Sequence, residues 1–474
     1  PICTLFTKAS LITVIRSANL SFHRLSSRFF SFPTHNFSQP LMSTLPSLLI
    51  AAPLSESGKS TLTMGLLRAY TRRGLATQAF KCGPDYVDPK LHSAATGRPA
   101  VNLDLFMYGA ERVQALYDHY SQDAQAVIVE GVMGLFDGYD RDKGSAADIA
   151  RLLDLPVVLV VTPRSMAYTV APLLYGLQHF DPRVQIAGVI FNKVSSERHL
   201  TYLTQAATDA GVPVLGSLPR VDDIAIPSRY LGLDVDDLAQ IDRYADQVAD
   251  LLEQHLDIDR LLAISSERKE RPHEAPALQK QASSTPRRIA VARDDAFNFL
   301  YQENVRQLEQ WGEVTYFSPL ADKELPPSDF VYLPGGYPEL HLEQLSANKS
   351  MLDSLRDYIR GGEAMIAEGG GMLLLCEAIV DEEGRSYPLV GALQQTATMQ
   401  QRGLALGYRQ LEIEGVAVRG HEFHYSRIID PLPTVAQQYN AWGDPVATAL
   451  WHMGRCYATY THLALTEQLL SHLL

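Results

Sequence analysis

Polar and apolar positions alternate regularly through most of the chain. From Ser47 to about Leu262, the apolar runs SLLIAAP, TQAFKCG, AVIVEGV, PVVLVVT, IAGVIFNKV and PVLGSLP are separated by helix-length segments of mixed polarity. Strands that stay apolar on both faces and alternate with helices predict βαβ units, hence a doubly wound parallel sheet covered on both sides. Between Ser265 and Arg287 the pattern lapses into SSERKERPHEAPALQKQASSTPR, polar and without an apolar period, which predicts a linker. Alternation resumes in RIAVARD, GEVTYFSP, DFVYLPGG and EAMIAEGG, with further strands near LEIEGVAVRG, so a second α/β domain is expected. The expected division is 43–264, linker 265–287, and 288–474. No apolar run reaches the roughly 18 residues of a membrane helix; Leu155 to Thr162 fits a buried strand.

Residues 1–42 break the pattern. They contain no Asp or Glu, carry Lys8, Arg16, Arg24 and Arg28, and are rich in Ser and Phe. That is the composition of an organelle transit peptide. Met42 leads almost directly into a strand, which favours translation from Met42 with upstream sequence attached. On either reading this extension lies outside the fold.

Composition narrows the function. The 474 residues are 46% hydrophobic and 20% charged, enough for two domains with their own cores. With 41 basic against 54 acidic side chains, the net charge of −13 argues against general electrostatic attraction to nucleic acid. A small-molecule substrate is expected, with no nucleic-acid or membrane partner. Cys3, Cys82, Cys376 and Cys456 are scattered without C-x-x-C or zinc-like spacing, which suits a reducing, cytoplasmic location.

The first chemical signal is the run from LLIAAP into Leu54-Ser55-Glu56-Ser57-Gly58-Lys59-Ser60-Thr61, followed by a helical pattern. Phosphate binding needs backbone N–H groups at a helix N-terminus, a lysine for the β/γ oxygens and a hydroxyl for magnesium. Gly58-Lys59-Ser60 supplies these, although Pro53 stands where the full phosphate-loop pattern has glycine. A bare G-K-S also reads as a helix cap. The second signal is Glu130, which ends the apolar run AVIV at the place where a P-loop fold holds a nucleotide-bound magnesium. The third is Lys81-Cys82-Gly83-Pro84-Asp85-Tyr86-Val87-Asp88-Pro89-Lys90-Leu91-His92. It follows the next strand, where ligands of doubly wound sheets sit, and its other reading is a proline turn with solvated acids.

Taken together, APLSESGKST, FKCGPDYVDPKLH, VEGVMGLFDG with GSAADIA, GVIFNKV, PSRYLGL, ARDDAFNFLYQENV, VYLPGGYPELH, GHEFHYS and YATYTHL resemble, in order, the motifs of cobyrinate a,c-diamide synthases over residues 46–465. The resemblance implies a dethiobiotin-synthetase-like N-terminal domain and a C-terminal class I, triad-type glutamine amidotransferase domain. It implies ATP-dependent amidation of the a and c acetates of a corrinoid, cobyrinate, through acyl phosphates. Hydrogenobyrinate and nickel sirohydrochlorin are alternative substrates. ATP and Mg²⁺ would be required, with Ser55, Ser57, Gly58, Lys59, Ser60, Thr61 and Asn192 at the nucleotide and Ser60 and Glu130 at the metal. Asn192 also has a buried polar role as an alternative. Asp85, Tyr86, Asp88 and His92 match the substrate-facing loop. In the second domain Gly336 and Gly370 match the oxyanion loops, and His462 the activating histidine, with His421 and His424 as competitors. A homodimer is expected.

The chain departs from the family at one position. A glutaminase of this type needs a cysteine on the strand-to-helix turn after AMIAE, and here that position is Gly369. Cys376, amid an expected helix MLLLCEAI, reads as a buried hydrophobe. Glutamine hydrolysis by the usual route is therefore expected to be lost, leaving ammonia, free or from a separate source, as nitrogen donor. A non-catalytic nucleotide switch of the partitioning-ATPase kind is disfavoured, because no lysine precedes Lys59 in the loop. A scaffold without turnover is the remaining alternative.

Overall fold

The apolar runs of the first half form β1 (Ser47–Ala51), β2 (Thr77–Cys82), β3 (Val101–Leu103), β4 (Ala126–Glu130), β5 (Val157–Val161), β6 (Ile186–Val194) and β7 (Val214–Pro219). Between and after them lie α1 (Lys59–Arg72), α2 (Asp88–Thr96), α3 (Leu105–Ser121), α4 (Ala146–Leu153), α5 (Val170–His179), α6 (Glu197–Asp209), α7 (Leu238–His255) and α8 (Ile258–Ser266). This computed structural model describes residues 45–221, 238–266, 278, 286–400 and 403–474. The extension 1–42, the motif PSRYLGL at 227–233 and most of the expected linker lie outside the described residues.

Among the described residues the first-half strands make a parallel sheet in the order β3-β2-β4-β1-β5-β6-β7. Side chains alternate across it, as a pleated strand requires. Leu49 and Ala51 of β1 enter one core with Val113 and Leu116 of α3, whereas Leu48 and Ile50 enter the other with Leu62 and Leu66 of α1 and Val248 of α7. Because β1 lies between β4 and β5, the loops after β1, β2 and β4 converge at the carboxyl ends of neighbouring strands. Lys81 pairs in register with Glu130, and so does Ile50. Ligands bind at this edge of open α/β sheets. α7 is tied to α1 by Arg68 with Asp246 at 3.1 Å and Arg72 with Asp250 at 2.7 Å.

The second half runs β8 (Arg287–Ala292), α9 (Gln302–Trp311), β9 (Gly312–Phe317), β10 (Phe330–Leu333), α10 (Leu342–Ala347), α11 (Lys349–Arg360), β11 (Ala364–Glu368) and α12 (Gly370–Leu375). There follow β12 (Cys376–Val380), β13 (Ser386–Pro388), β14 (Leu393–Thr398), β15 (Ala405–Ile413), β16 (Val416–His424), β17 (Arg427–Ile429), β18 (Ala436–Tyr439), β19 (Pro445–Met453), β20 (Cys456–Thr459), β21 (Thr461–Leu463) and α13 (Glu467–Leu473). Its main sheet has the order β21-β16-β15-β18-β19-β20-β11-β10-β8-β9. It is parallel from β9 to β20 and antiparallel beyond. The helix expected through MLLLCEAI stops at Leu375. Cys376 is already extended and opens β12, because CEAIV pairs with β13 on one side and β14 on the other.

The halves are fastened by polar contacts. Tyr301 donates its hydroxyl hydrogen to the Tyr86 hydroxyl at 2.7 Å, Tyr408 donates to the Asp104 carboxylate at 2.8 Å, and Arg419 donates to the Phe106 carbonyl at 3.0 Å. Arg112 pairs with Glu303. Among the described residues no helix is long and apolar enough to cross a membrane.

Candidate functional site

The loop after β1 turns into α1 at Gly58, whose φ of +88° is in the left-handed region. An L residue is strained there, and a Cβ would collide with the Asn192 side chain. The turn is braced from behind. Asn192 Nδ2 and Thr162 Oγ1 donate to the Ser57 carbonyl at 3.0 and 2.9 Å, and Ser57 Oγ donates to the Leu54 carbonyl at 2.9 Å. Lys59 Nζ donates to the Met133 carbonyl at 2.7 Å, so the loops after β1 and β4 are joined across the mouth of the site.

Beneath the loop lies a buried ionic cluster. Ser60 Oγ donates to Glu130 Oε1 at 2.7 Å and lies 3.1 Å from Asp88 Oδ2. Lys81 Nζ reaches the same two oxygens, at 2.7 Å from Glu130 Oε1 and 2.6 Å from Asp88 Oδ2, with Asp85 Oδ2 at 4.0 Å. Lys81 and Glu130 are 3% and 0% exposed, so neither charge has water to solvate it. Burial is the strongest single influence on Lys81 and pulls its pKa down, yet Asp88, Glu130 and Asp85 together outweigh it and hold the ammonium protonated.

A cavity of about 540 Å³ opens above this cluster. Ser55, Gly58, Lys59, Ser60, Thr61, Asp85, Asp88, Glu130 and Asn192 all line it, and Val248 and Leu252 of α7 close one side. Three residues expected at the site do not line this cavity. Ser57 is buried behind the loop and bonds the backbone. His92, on α2, is fully buried behind Glu130; its Nε2 stands 2.7 Å from Glu130 Oε2, out of line for a hydrogen bond. Tyr86 turns toward the second half, where it stacks on Phe299 at 4.6 Å and against His462 at 4.8 Å. Lys81 was not singled out from sequence. The available signal was a lysine inside a strand whose pattern demands burial on both faces.

The turn after β11 is the second site. Gly369 has φ +47° and ψ −113°, a conformation costly for an L residue. A Cβ there would lie 2.6 Å from His462 Cε1 and 2.9 Å from Nε2, so the ring already fills the place a side chain would need. His462 is thus the histidine that abuts position 369. His421 pairs in register with it on β16, and His424 Nε2 bonds Glu422 Oε1 at 2.7 Å instead. Position 370 lies against Gly336, whose N–H nitrogen would be 3.0 Å from a Cβ there. Burial pushes the His462 imidazole down to about 3 and the Glu368 carboxyl up to about 8, the latter despite donations from Leu463 N–H and Tyr332 hydroxyl. Burial favours the neutral form of both groups, which weakens any ion pairing across their 3.8 Å approach. Cys376 is buried and its thiol is pushed up to about 12 by burial, the opposite of an activated nucleophile.

Comparison with known proteins matches both halves. Residues 48–232 fit the CobQ/CobB/MinD/ParA nucleotide binding domain, and residues 288–469 the CobB/CobQ-like glutamine amidotransferase domain. The chain is 40% identical over 422 residues to the hydrogenobyrinate a,c-diamide synthase of Pseudomonas aeruginosa, covering 89% of this chain and 94% of that one. It is 41% identical over 430 residues to the cobyrinate a,c-diamide synthase of Gloeobacter violaceus, covering 88% and 93%. The Synechocystis cobyrinate a,c-diamide synthase is 39% identical over 436 residues, with 88% and 90% covered. With a nucleotide-binding half, an amidotransferase half and near full-length similarity to these synthases, the chain belongs to the cobyrinate and hydrogenobyrinate a,c-diamide synthase family.

Proposed function

We propose that this chain amidates two acetate carboxylates of a corrinoid, cobyrinate or hydrogenobyrinate, at the expense of ATP, with ammonia as nitrogen donor. The observation that carries the reading is the meeting of Lys59, Ser60, Asp88 and Glu130 at one cavity under a phosphate-type loop. Residues 43–264 form the ligase half and 288–474 the amidotransferase-like half, joined by 265–287. The protein is cytoplasmic and homodimeric in this reading; Cys82, Cys376 and Cys456 are all unpaired thiols, as a reducing compartment maintains.

A carboxylate is a poor acyl donor because oxide is its leaving group, so it must first be phosphorylated. Magnesium, when bound with ATP, supplies charge neutralisation at the transferring phosphoryl. The residues fit such an ion. Ser60 Oγ, Asp88 Oδ2 and Glu130 Oε1 are hard oxygen donors, and the Lys81 ammonium already marks their meeting point as a place for positive charge. Among the described residues no set of three acidic, imidazole or thiol ligands forms a complete cage, which suits an ion that takes its other ligands from phosphate and water. Ser55, Gly58 and Thr61 present the loop to the phosphates, and Asn192 secures the loop's shape through Ser57. Lys59 can leave the Met133 carbonyl for the β/γ oxygens. Asp85 borders the same cavity from the substrate side.

Gly369 has no side chain to attack glutamine, so the Gly336 and Gly370 backbone groups and His462 lack the thiol they would serve. The test is amidation by purified protein with corrinoid, Mg-ATP and either ammonium or glutamine. Ammonium is expected to give the diamide, glutamine is not, and Lys59→Ala is expected to abolish turnover with both. No amidated product with any corrinoid would overturn the ligase reading. Strong glutamine-dependent turnover, free of other glutaminases, would overturn the reading of Gly369.

A further inference from the structure

A second cavity, of about 780 Å³, lies on the opposite side of the Asp85–Asp88 turn and between the two halves. We propose that this groove is the subsite for the corrinoid macrocycle, whose reactive acetate reaches over Asp85 into the nucleotide cavity while the remaining acids are held by Arg98 and Arg293. The inference rests on the ligase reading and adds to it a place for the substrate.

Three observations support it. Asp85 lines both cavities, so the turn that borders the phosphate site also forms the wall of the groove. The groove's volume falls in the upper part of the ~300–1,000 Å³ range of ligand cavities, as a large ring requires. Its lining sets three cations, Lys90, Arg98 and Arg293, against four acids, Asp85, Asp242, Asp294 and Asp295, so a polycarboxylate would be held by the individual cations rather than by the groove's net charge. Arg98, from the end of α2, spends only Nε on Gln78 at 3.3 Å, and Arg293 lies 5.1 Å above the Tyr316 ring; neither guanidinium has a carboxylate partner among the described residues. The nearby acids are mostly engaged. Asp294 accepts from Ala296 N–H, Phe297 N–H, Ser318 hydroxyl and Leu320 N–H, Asp242 pairs with Arg68, and Asp85 accepts from Val87 and Asp88 N–H. Asp295 is the exposed acid at the rim. Asn298, which also lines the groove, donates Nδ2 to the Asp295 carbonyl at 3.0 Å, and its buried side-chain oxygen has no hydrogen-bond partner among the described residues. Each amidation removes one negative charge, so the diamide is held less tightly than the diacid and leaves.

The experiment measures corrinoid binding without nucleotide, by absorbance or fluorescence quenching, alongside the KM for corrinoid and the affinity for a fluorescent ATP analogue. Arg98→Gln and Arg293→Gln are expected to weaken corrinoid binding by about tenfold each, the scale of one hydrogen bond to a charged group, with nucleotide affinity retained. Arg293→Lys should recover part of the loss, and binding to the unaltered protein should weaken as salt rises. Arg293 is exposed, so its variants test the site without disturbing the core. Unchanged corrinoid affinity in both glutamine variants, with amidation intact, would overturn the subsite and leave the ligase reading standing. An unaltered protein that neither binds nor amidates a corrinoid would overturn both.

Discussion

Lys81→Met is the most demanding test of the buried cluster. The substitution keeps the length and apolar stem of the side chain and removes only the ammonium that lies 2.6 and 2.7 Å from the Asp88 and Glu130 oxygens. Both carboxylates then sit in a nearly dry site with Ser60 as the nearest neutral donor, and Asp85 adds a third negative charge close by. Removing one partner from such a buried pair costs about 3–5 kcal/mol. At roughly 2–4 °C per kcal/mol for a domain of this size, the first-half transition should fall by about 6–20 °C in EDTA. Magnesium should then stabilise the variant more than the parent, because the ion no longer competes with an ammonium for the same oxygens. At 100 times its dissociation constant it returns about 2.7 kcal/mol. Differential scanning calorimetry with and without Mg²⁺ measures both effects. A variant that melts within about 2 °C of the parent in EDTA, or one stabilised no more by Mg²⁺ than the parent, would refute the placement of Lys81 as the cluster's internal cation.

Three other outcomes follow from the geometry. Gly369→Ala should lower stability by about 1–3 kcal/mol, since it forces an L residue into a positive-φ turn and drives a Cβ to 2.6 Å from His462; an unchanged melting temperature would show that the turn is relaxed. Gly65→Ala places a methyl against Val248 and 2.9 Å from Leu252, so it should push α7 away from the nucleotide cavity, cost about 1–3 kcal/mol and raise the KM for ATP, which steady-state kinetics would read. Glu368, held near 8 by burial, keeps its proton in the fold while the unfolded chain ionises above about 4.3. Its contribution is therefore full below the unfolded value and is lost as pH rises through about 8; Glu368→Gln should flatten the melting profile across that window, and a parallel profile would exclude the shift.

The nucleotide half was legible because its chemistry is local. The Gly58-Lys59-Ser60 run follows a continuous apolar strand and opens a helix, so strand, loop and cap signals agree within a few residues. Glu130 was legible for the same reason, as an acid at the end of a fully buried strand. The empty position at Gly369 needed only the motif around it. What the chain order could not show is which distant groups share an atom. Lys81 and Ser60 bond the same two carboxylate oxygens because β1, β2 and β4 are neighbours in register, and that adjacency is created by crossovers rather than by spacing. His92 and Tyr86 looked like neighbours on one loop, but α2 turns the first behind Glu130, while the second packs on Phe299 and His462 and lines the groove between the halves rather than the nucleotide cavity. The stop of α12 at Leu375 was likewise decided by strand partners far along the chain. Sequence alone determined the fold class, the phosphate loop and the missing thiol, because each is written in contiguous residues. The ionic cluster, the filled niche beside Gly369 and the groove between the halves were decided only by tertiary structure, since buried charge and shape are properties of groups brought together from separate strands.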